Sequence, residues 1–271
     1  MPGLQKVLKG VLQYRELFKS KMVEKLVQIS EHPQPTALLF TCMDTRLQPS
    51  VITMSNPGDM FVVRNAGNMV PHSDFCSYDH ITTEPGALEL ACIHNPIRHV
   101  IVCGHSDCKA INLLLNMRDK KALENKDGTP LENWVKKHGL SSVMKFEQLE
   151  NLGDKGSGPI IFQGASPKHT FEAFIDPQNE YSILDKLSQV HCLQQLQNIA
   201  SQDFLKEKLS KNEVHLHAMW YDMKLADMLI FSRQRKQFVT VNEDNYLHLL
   251  EDSMTMPDHK EMEKPSPVWR G

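Results

Sequence analysis

The chain lacks most of the features that would assign it to a simple class. Its 271 residues contain only six cysteines, Cys42, Cys76, Cys92, Cys103, Cys108 and Cys192. That is too sparse for a disulfide framework, and it reads as thiols in a reducing compartment. No charge of one sign dominates: the formal net charge is -3 and charged residues make up 23%. That balance, without a compact basic stripe, argues against a nucleic-acid partner. No apolar run approaches the roughly 18 residues of a membrane-spanning helix. No Gly-rich phosphate loop stands at a strand–helix junction, which argues against nucleotide binding. The opening residues lack the continuous apolar segment and small-residue cleavage site of a secretory signal. There is no internal repeat. What remains is an ordinary globular composition, with 41% of residues from the AVILMFWYC set.

Against this plain background two short clusters carry chemistry. The first is Cys42-Met43-Asp44-Thr45-Arg46, the second His105-Ser106-Asp107-Cys108. Cys42, His105 and Cys108 together offer two thiolates and one imidazole, a soft set that suits zinc. Three protein ligands leave the fourth tetrahedral position open, the mark of a catalytic centre. Asp44 and Arg46 add a charged pair able to steer whatever occupies that position.

The pattern around the clusters is that of an α/β protein. Ala37 to Thr41, Met60 to Val63 and His99 to Cys103 are short apolar runs that read as strands buried on both faces. Cys42 stands at the carboxyl end of the first, and His105 just past the end of the third. Pro85 to His94 reads as a helix with Thr83 as N-cap, and helical spacing resumes from Cys108 to Leu115 and from Ile183 to Ala200. Val214 to Trp220, Met228 to Phe231 and Phe238 to Val241 read as later strands. Alternation of this kind predicts a mostly parallel sheet flanked by helices, with its site beyond the strand carboxyl ends. Residues 118–182 give no clear pattern, and Asp154 to Pro159 reads as a surface connection.

At the amino end, Leu4, Val7, Leu8, Val11, Leu12, Leu17, Phe18, Val23, Leu26 and Val27 recur at helical spacing until Pro33 and Pro35, so this helix needs a protein surface to pack on. Lys6, Lys9 and Arg15 precede the first acid, a weak likeness to a mitochondrial transit peptide. The expected organisation is a helical arm over 1–35, an α/β zinc domain over 36–252 and a flexible tail over 253–271. Cys92 and Cys103 read as packing thiols. Cys76 with His72 and His80 reads as a polar loop rather than a second metal site. His215 and His217 read as an ordinary strand face, and Arg64 as either an anion binder or a structural residue at a subunit interface.

Cys-x-Asp-x-Arg followed by His-x-x-Cys, with Phe61-Val62-Val63-Arg64-Asn65 between them, resembles the β-class carbonic anhydrases. The likeness extends through Gly58 to Asn68, through Val102 to Ala110, and into Ile183 to Trp220, where it is similar to the animal branch. The resemblance implies an enzyme interconverting CO2 and bicarbonate with one Zn2+ per chain on Cys42, His105 and Cys108. It implies a mostly parallel central sheet with an edge strand, and a homodimer or dimer of dimers whose N-terminal helix packs on the partner. Asp44 and Arg46 become the catalytic dyad: Arg46 holds Asp44 ionised, and Asp44 orients zinc-bound hydroxide. If that pair breaks, Asp44 could become a fourth zinc ligand in a closed state. Gln34, Phe61, Ala66 and Leu90 become the substrate pocket.

Some positions depart from the family pattern. Lys109 and Ala110 replace a frequent Gly-Gly, Leu90 replaces a plant tyrosine, and Gln34 needs a one-residue gap. Leu39 replaces the tryptophan of members with an inhibitory bicarbonate site, which argues against that control. The location implied is intracellular, the cytosol with the mitochondrial matrix as alternative. Two other functions stay open: a non-catalytic zinc protein, and a hydrolase of a linear sulfur analogue of CO2.

Overall fold

The computed structural model describes residues 2–78, 80–118, 128–151, 158–164 and 169–254. The chain begins with two helices, α1 (Pro2–Leu17) and α2 (Lys19–Glu31), broken at Phe18 where a single helix was expected. Strand β1 (Ala37–Cys42), the short helix α3 (Pro49–Ile52) and β2 (Met60–Asn65) follow, then α4 (Thr83–Cys92), β3 (His99–His105) and α5 (Lys109–Asn116). Next come α6 (Pro130–Asn151), the strands β4 (Ile160–Phe162) and β5 (Phe171–Ala173), and α7 (Ile183–Ala200). The chain continues with α8 (Lys206–Ser210), β6 (His215–Asp222), β7 (Asp227–Ser232), β8 (Gln237–Thr240) and α9 (Tyr246–Met254).

The central sheet has the order β2-β1-β3-β6-β7-β8, parallel from β2 to β6 and antiparallel beyond it. The chain leaves β1 for β2 on one side and then crosses to β3 on the other. The gap between the carboxyl ends of β1 and β3 is therefore a topological switch point, where open α/β sheets place their ligands. Every residue of β1 is buried, as its continuous apolar run predicts. Strand β2 departs from expectation: it forms the edge of the sheet, and Val62 is 44% exposed.

Residues of one pleat face, among them Leu38, Phe40, Val100, Val102, Leu216 and Ala218, form the core together with α5 and α7. Helix α7 is buried on nearly all sides, including its polar residues. Several of those polar groups are bonded, which matters because an unpaired buried donor costs about 1–3 kcal/mol. His191 donates to Gly67 O, Gln195 Oε1 accepts from Val70 N, Asn198 donates to Val70 O and Gln202, just past the helix, donates to Pro71 O. One face of this helix thus fixes the backbone that follows β2.

Helix α6 lies in the stretch that gave no pattern. Gly139, in its middle, weakens the helical signal by about 1 kcal/mol relative to alanine. The glycine is needed for packing: a Cβ there would lie 2.5 Å from Leu114 Cδ2 of α5. Helix α4 starts at Thr83, so the flanking residue is Thr82 rather than Thr83, and Thr82 makes no side-chain cap bond. Helix α9 runs to Met254, past the expected start of the tail at 253, and residues 255–271 lie outside those described. So do residues 154–157 of the expected surface connection. No described helix is long and apolar enough to cross a membrane.

Candidate metal centre

Cys42 ends β1, His105 ends the adjacent β3, and Cys108 is the N-cap residue of α5. Their donor atoms all lie within 4.8 Å of one another, and all three residues are buried. Among the described residues this is the one such convergence of three His, Cys, Asp or Glu side chains. The two sulfurs are 3.9 Å apart. Tetrahedral zinc with Zn–S bonds near 2.3 Å places two sulfurs about 3.8 Å apart, so the spacing fits.

The imidazole fits too. His105 Nδ1 donates to the Ser106 carbonyl at 2.7 Å, which leaves Nε2 as the lone-pair nitrogen. That Nε2 is buried and has no hydrogen-bond partner. A buried acceptor without a donor, aimed into a pair of thiols, is what a metal site looks like without its ion. Ser188 in turn donates to His105 O, and Trp220 donates to Ser188 Oγ, so the strand end is anchored from α7 and β6.

The two thiols are in contact, and their environments push them in opposite directions. The Cys42 thiol is pushed down to about 4, first by its hydrogen bond with Cys108, then by His105 and the amides of Gly67 and Asp44. The Cys108 thiol moves up, first because it is the donor to Cys42 and then through burial. The amides of Ala110 and Ile111, in the first turn of α5, work the other way and favour its thiolate. Main-chain donors of this kind need no glycine, so Lys109 and Ala110 serve where other family members carry Gly-Gly.

Asp44 and Arg46 form a bidentate pair: Nε reaches Oδ1 at 3.0 Å and Nη2 reaches Oδ2 at 2.8 Å. The Arg46 amide also donates to Oδ1. These bonds, the guanidinium first, hold the Asp44 carboxyl well below the usual carboxylate range. Two contacts that sequence reasoning missed lock Arg46 in place. Its Nη1 donates to Asp107 Oδ2 at 2.8 Å and its Nη2 to Asp107 O at 3.1 Å. Asp107 sits between two candidate ligands with φ of +53°, and its amide donates to buried Asp185. Its place within His-x-x-Cys was the only sequence signal for it. Arg64 donates to Cys42 O and Asp44 O, clamping the ligand loop from within its own chain.

The expected pocket residues divide. Ala66 directly follows Asn65, which pairs with Cys42 across the sheet, so it stands beside the site. Phe61 pairs with Leu38, four residues back from the Asn65–Cys42 pair, or about 13 Å along the strand. Gln34 is exposed before the amino end of β1, and Leu90 is 50% exposed on α4. Phe61 therefore stands well up its strand from the cluster, while Gln34 and Leu90 face solvent. Cys92 and Cys103 are buried thiols raised by burial to about 11 and about 12, as packing residues should be. Cys76 donates to His72 O beside a 3-10 turn.

A parallel-centred sheet with a soft, three-ligand cluster at its switch point, next to a fixed carboxylate–guanidinium pair, defines a metal-dependent enzyme that activates water. The family model described as carbonic anhydrase matches residues 37–228, and the chain belongs to the β-class carbonic anhydrases. It is a zinc enzyme for the reversible hydration of CO2. The beta carbonic anhydrase 1 of Caenorhabditis briggsae is 40% identical over 264 residues, 95% of this chain and 96% of that protein. That of Caenorhabditis elegans is 41% identical over 252 residues, 91% and 92% of the two chains. These nematode relatives agree with the likeness to the animal branch. In fold the chain resembles the β-carbonic anhydrase CcaA, with TM-score 0.70 at 24% identity over 90% of this chain and 94% of that one. It also resembles a tetrameric β-carbonic anhydrase of Sordaria macrospora, with TM-score 0.61 at 16% identity over 85% and 97%.

Proposed function

We propose that Cys42, His105 and Cys108 hold the catalytic zinc, one ion per chain, and that the Asp44–Arg46 pair orients the attacking oxygen. The orphaned Nε2 of buried His105, converging with two thiols, carries this reading. When bound, zinc lowers the pKa of a water in its fourth position to about 7. Asp44, ionised by its pairing with Arg46, can only accept a hydrogen bond. An acceptor of that kind fixes where the O–H of the reacting water points and leaves a lone pair free toward CO2. Asp107 grips the far side of Arg46, so the carboxylate cannot swing toward the metal unless the guanidinium is lost. The test is CO2 hydration by protein of measured zinc content, with rate proportional to zinc expected. Zinc-loaded but inactive protein would favour a non-catalytic zinc protein, and turnover of the linear sulfur analogue alone would favour the hydrolase.

The working unit we infer is a homodimer, or a tetramer built from such dimers. The apolar stripe of α1 and α2 supports it: Leu4, Val7, Leu8, Val11 and Leu12 are all at least 55% exposed, and neither helix has a buried residue. Edge strand β2 adds an unpaired side. Under this reading Gln34, Phe61 and Leu90 complete the partner's pocket rather than their own. Deleting residues 1–28 should give dissociated or poorly soluble protein in a sedimentation experiment, and a stable, active monomer would overturn the arrangement. An intracellular location, the cytosol first and the mitochondrial matrix as alternative, rests on six free cysteines and on Lys6, Lys9 and Arg15. Imaging of the tagged full chain tests it.

A further inference from the structure

Helix α7 begins beside the loop that joins two of the candidate ligands. Ser182 is its N-cap residue: Ser182 Oγ accepts the Asp185 amide at 3.2 Å and donates to Asp185 Oδ2 at 2.8 Å. Capping accounts for that half of the carboxylate. The other oxygen serves a different segment. Asp185 Oδ1 accepts the Asp107 amide at 2.8 Å, 78 positions back in the chain. Asp185 is only 5% exposed, so its carboxylate depends on such donors.

The N–H that Asp185 holds belongs to the Ser106–Asp107 peptide. The carbonyl of the same peptide, Ser106 O, accepts the Nδ1–H of His105 at 2.7 Å. One peptide group therefore joins a buried carboxylate to a candidate metal imidazole. Metal-bound histidines commonly give their second N–H to a carboxylate or a carbonyl. Here the carboxylate acts through the carbonyl. A charged acceptor on the N–H polarises the peptide and makes its oxygen a better acceptor, by roughly 10–30% per bond in such chains. The same contact restrains the backbone of Asp107, whose φ of +53° lies in the left-handed region that non-glycine residues seldom enter. That backbone sets where Asp107 O and Oδ2 meet Arg46, at 3.1 and 2.8 Å. The flanking groups have anchors of their own. Ser106 N donates to Tyr221 O, Ser106 Oγ accepts from Met223 N, and Ser188, three residues after Asp185 on α7, donates to His105 O.

We propose that Asp185 is a positioning residue shared by both halves of the site: by holding the Ser106–Asp107 peptide it fixes the imidazole of His105 on one side and, through Asp107, the guanidinium of Arg46 on the other. The inference rests on His105 being a zinc ligand and adds a control on it from outside the cluster.

The test compares the full-length zinc protein, labelled with 15N, as parent, Asp185→Ala, Asp185→Asn and Ser182→Ala. In Asp185→Ala the His105 Nδ1–H proton resonance should move upfield as its bond to Ser106 O weakens, and the Arg46 Nε–H resonance should shift with it. Zinc affinity, measured by competition with a chelator, should fall about 10–100-fold, as for an outer-shell partner. Asp185→Asn is isosteric and keeps a neutral acceptor for the Asp107 amide, so both resonances should move the same way by less, with affinity down about three- to tenfold. Ser182→Ala removes the cap alone: its urea midpoint should drop while both resonances stay. Unmoved resonances and affinity in Asp185→Asn would overturn the proposal, even if Asp185→Ala does not fold. Equal shifts in Ser182→Ala would overturn it too, because capping of α7 would then account for the effect. A parent protein whose His105 Nε2 signal ignores added zinc would instead overturn His105 as a ligand.

Discussion

Strand β3 carries a histidine at each end, and their fates differ. At the carboxyl end His105 is locked by Ser106 O and presents a free Nε2 to two thiols. At the amino end His99 Nδ1 lies 3.1 Å from His217 Nε2, and its ring stacks on His215 at 5.6 Å. His99 and His217 share that hydrogen bond, and among the described residues no thiolate or carboxylate joins these rings to make a three-ligand group. Burial lowers the pKa of each first, helped by neighbouring rings, by Arg98 and, at His217, by Arg233. Residue type is thus a poor guide to a site. What matters is where the chain goes next. After His105 it turns directly into α5 and returns Cys108 beside Cys42, whereas at the other end the rings only share a strand face.

The largest effects should fall at the carboxyl end. Cys108→Ser should strip zinc and abolish CO2 hydration, while His217→Asn should leave zinc content unchanged; metal analysis of both variants tests the contrast directly. If the Cys108 variant keeps full zinc, the two ends are not different in kind. Next in size, Asp44→Asn should keep zinc yet lose roughly 10²–10⁴-fold in rate, as for a lost proton partner. Near-normal turnover there would make the pair with Arg46 purely structural. Arg46→Ala should cost less, about 10–100-fold, as for an outer-shell partner of a metal site. X-ray absorption of that zinc protein should report a carboxylate oxygen as Asp44 swings inward, and an unchanged first shell would rule out the closed state.

The amino end should speak through stability rather than rate. His217 is pushed down from 6.5 to about 3, and His138, away from this end on α6, from 6.5 to about 4, both first by burial. An unfolded chain therefore takes up protons that the folded one refuses. The stability these groups contribute is complete above 6.5 and is lost as the pH falls toward 3 to 4. Urea midpoints should drop through that window, and His217→Asn should flatten the drop. A midpoint independent of pH in the parent protein would contradict neutral imidazoles at His217 and His138.

The sequence by itself determined the ligand set, the Asp44–Arg46 pair and the run of buried strands ending at Cys42 and His105. Each is local: a donor atom's chemistry is intrinsic to its residue, and a strand's burial on both faces leaves a continuous apolar run. Only the tertiary structure decided that β2 is an edge, that Phe61 stands about 13 Å up its strand from the cluster, and that Asp107 holds Arg46. It also revealed helix α6, whose Gly139 answers to Leu114 on another helix and so reads, in sequence, as a break. The Trp134–Ala66 bond joins an indole N–H to a main-chain carbonyl 68 positions away. Every residue has the same peptide donor and acceptor, so their partners leave no mark on residue type and are fixed only when the chain packs.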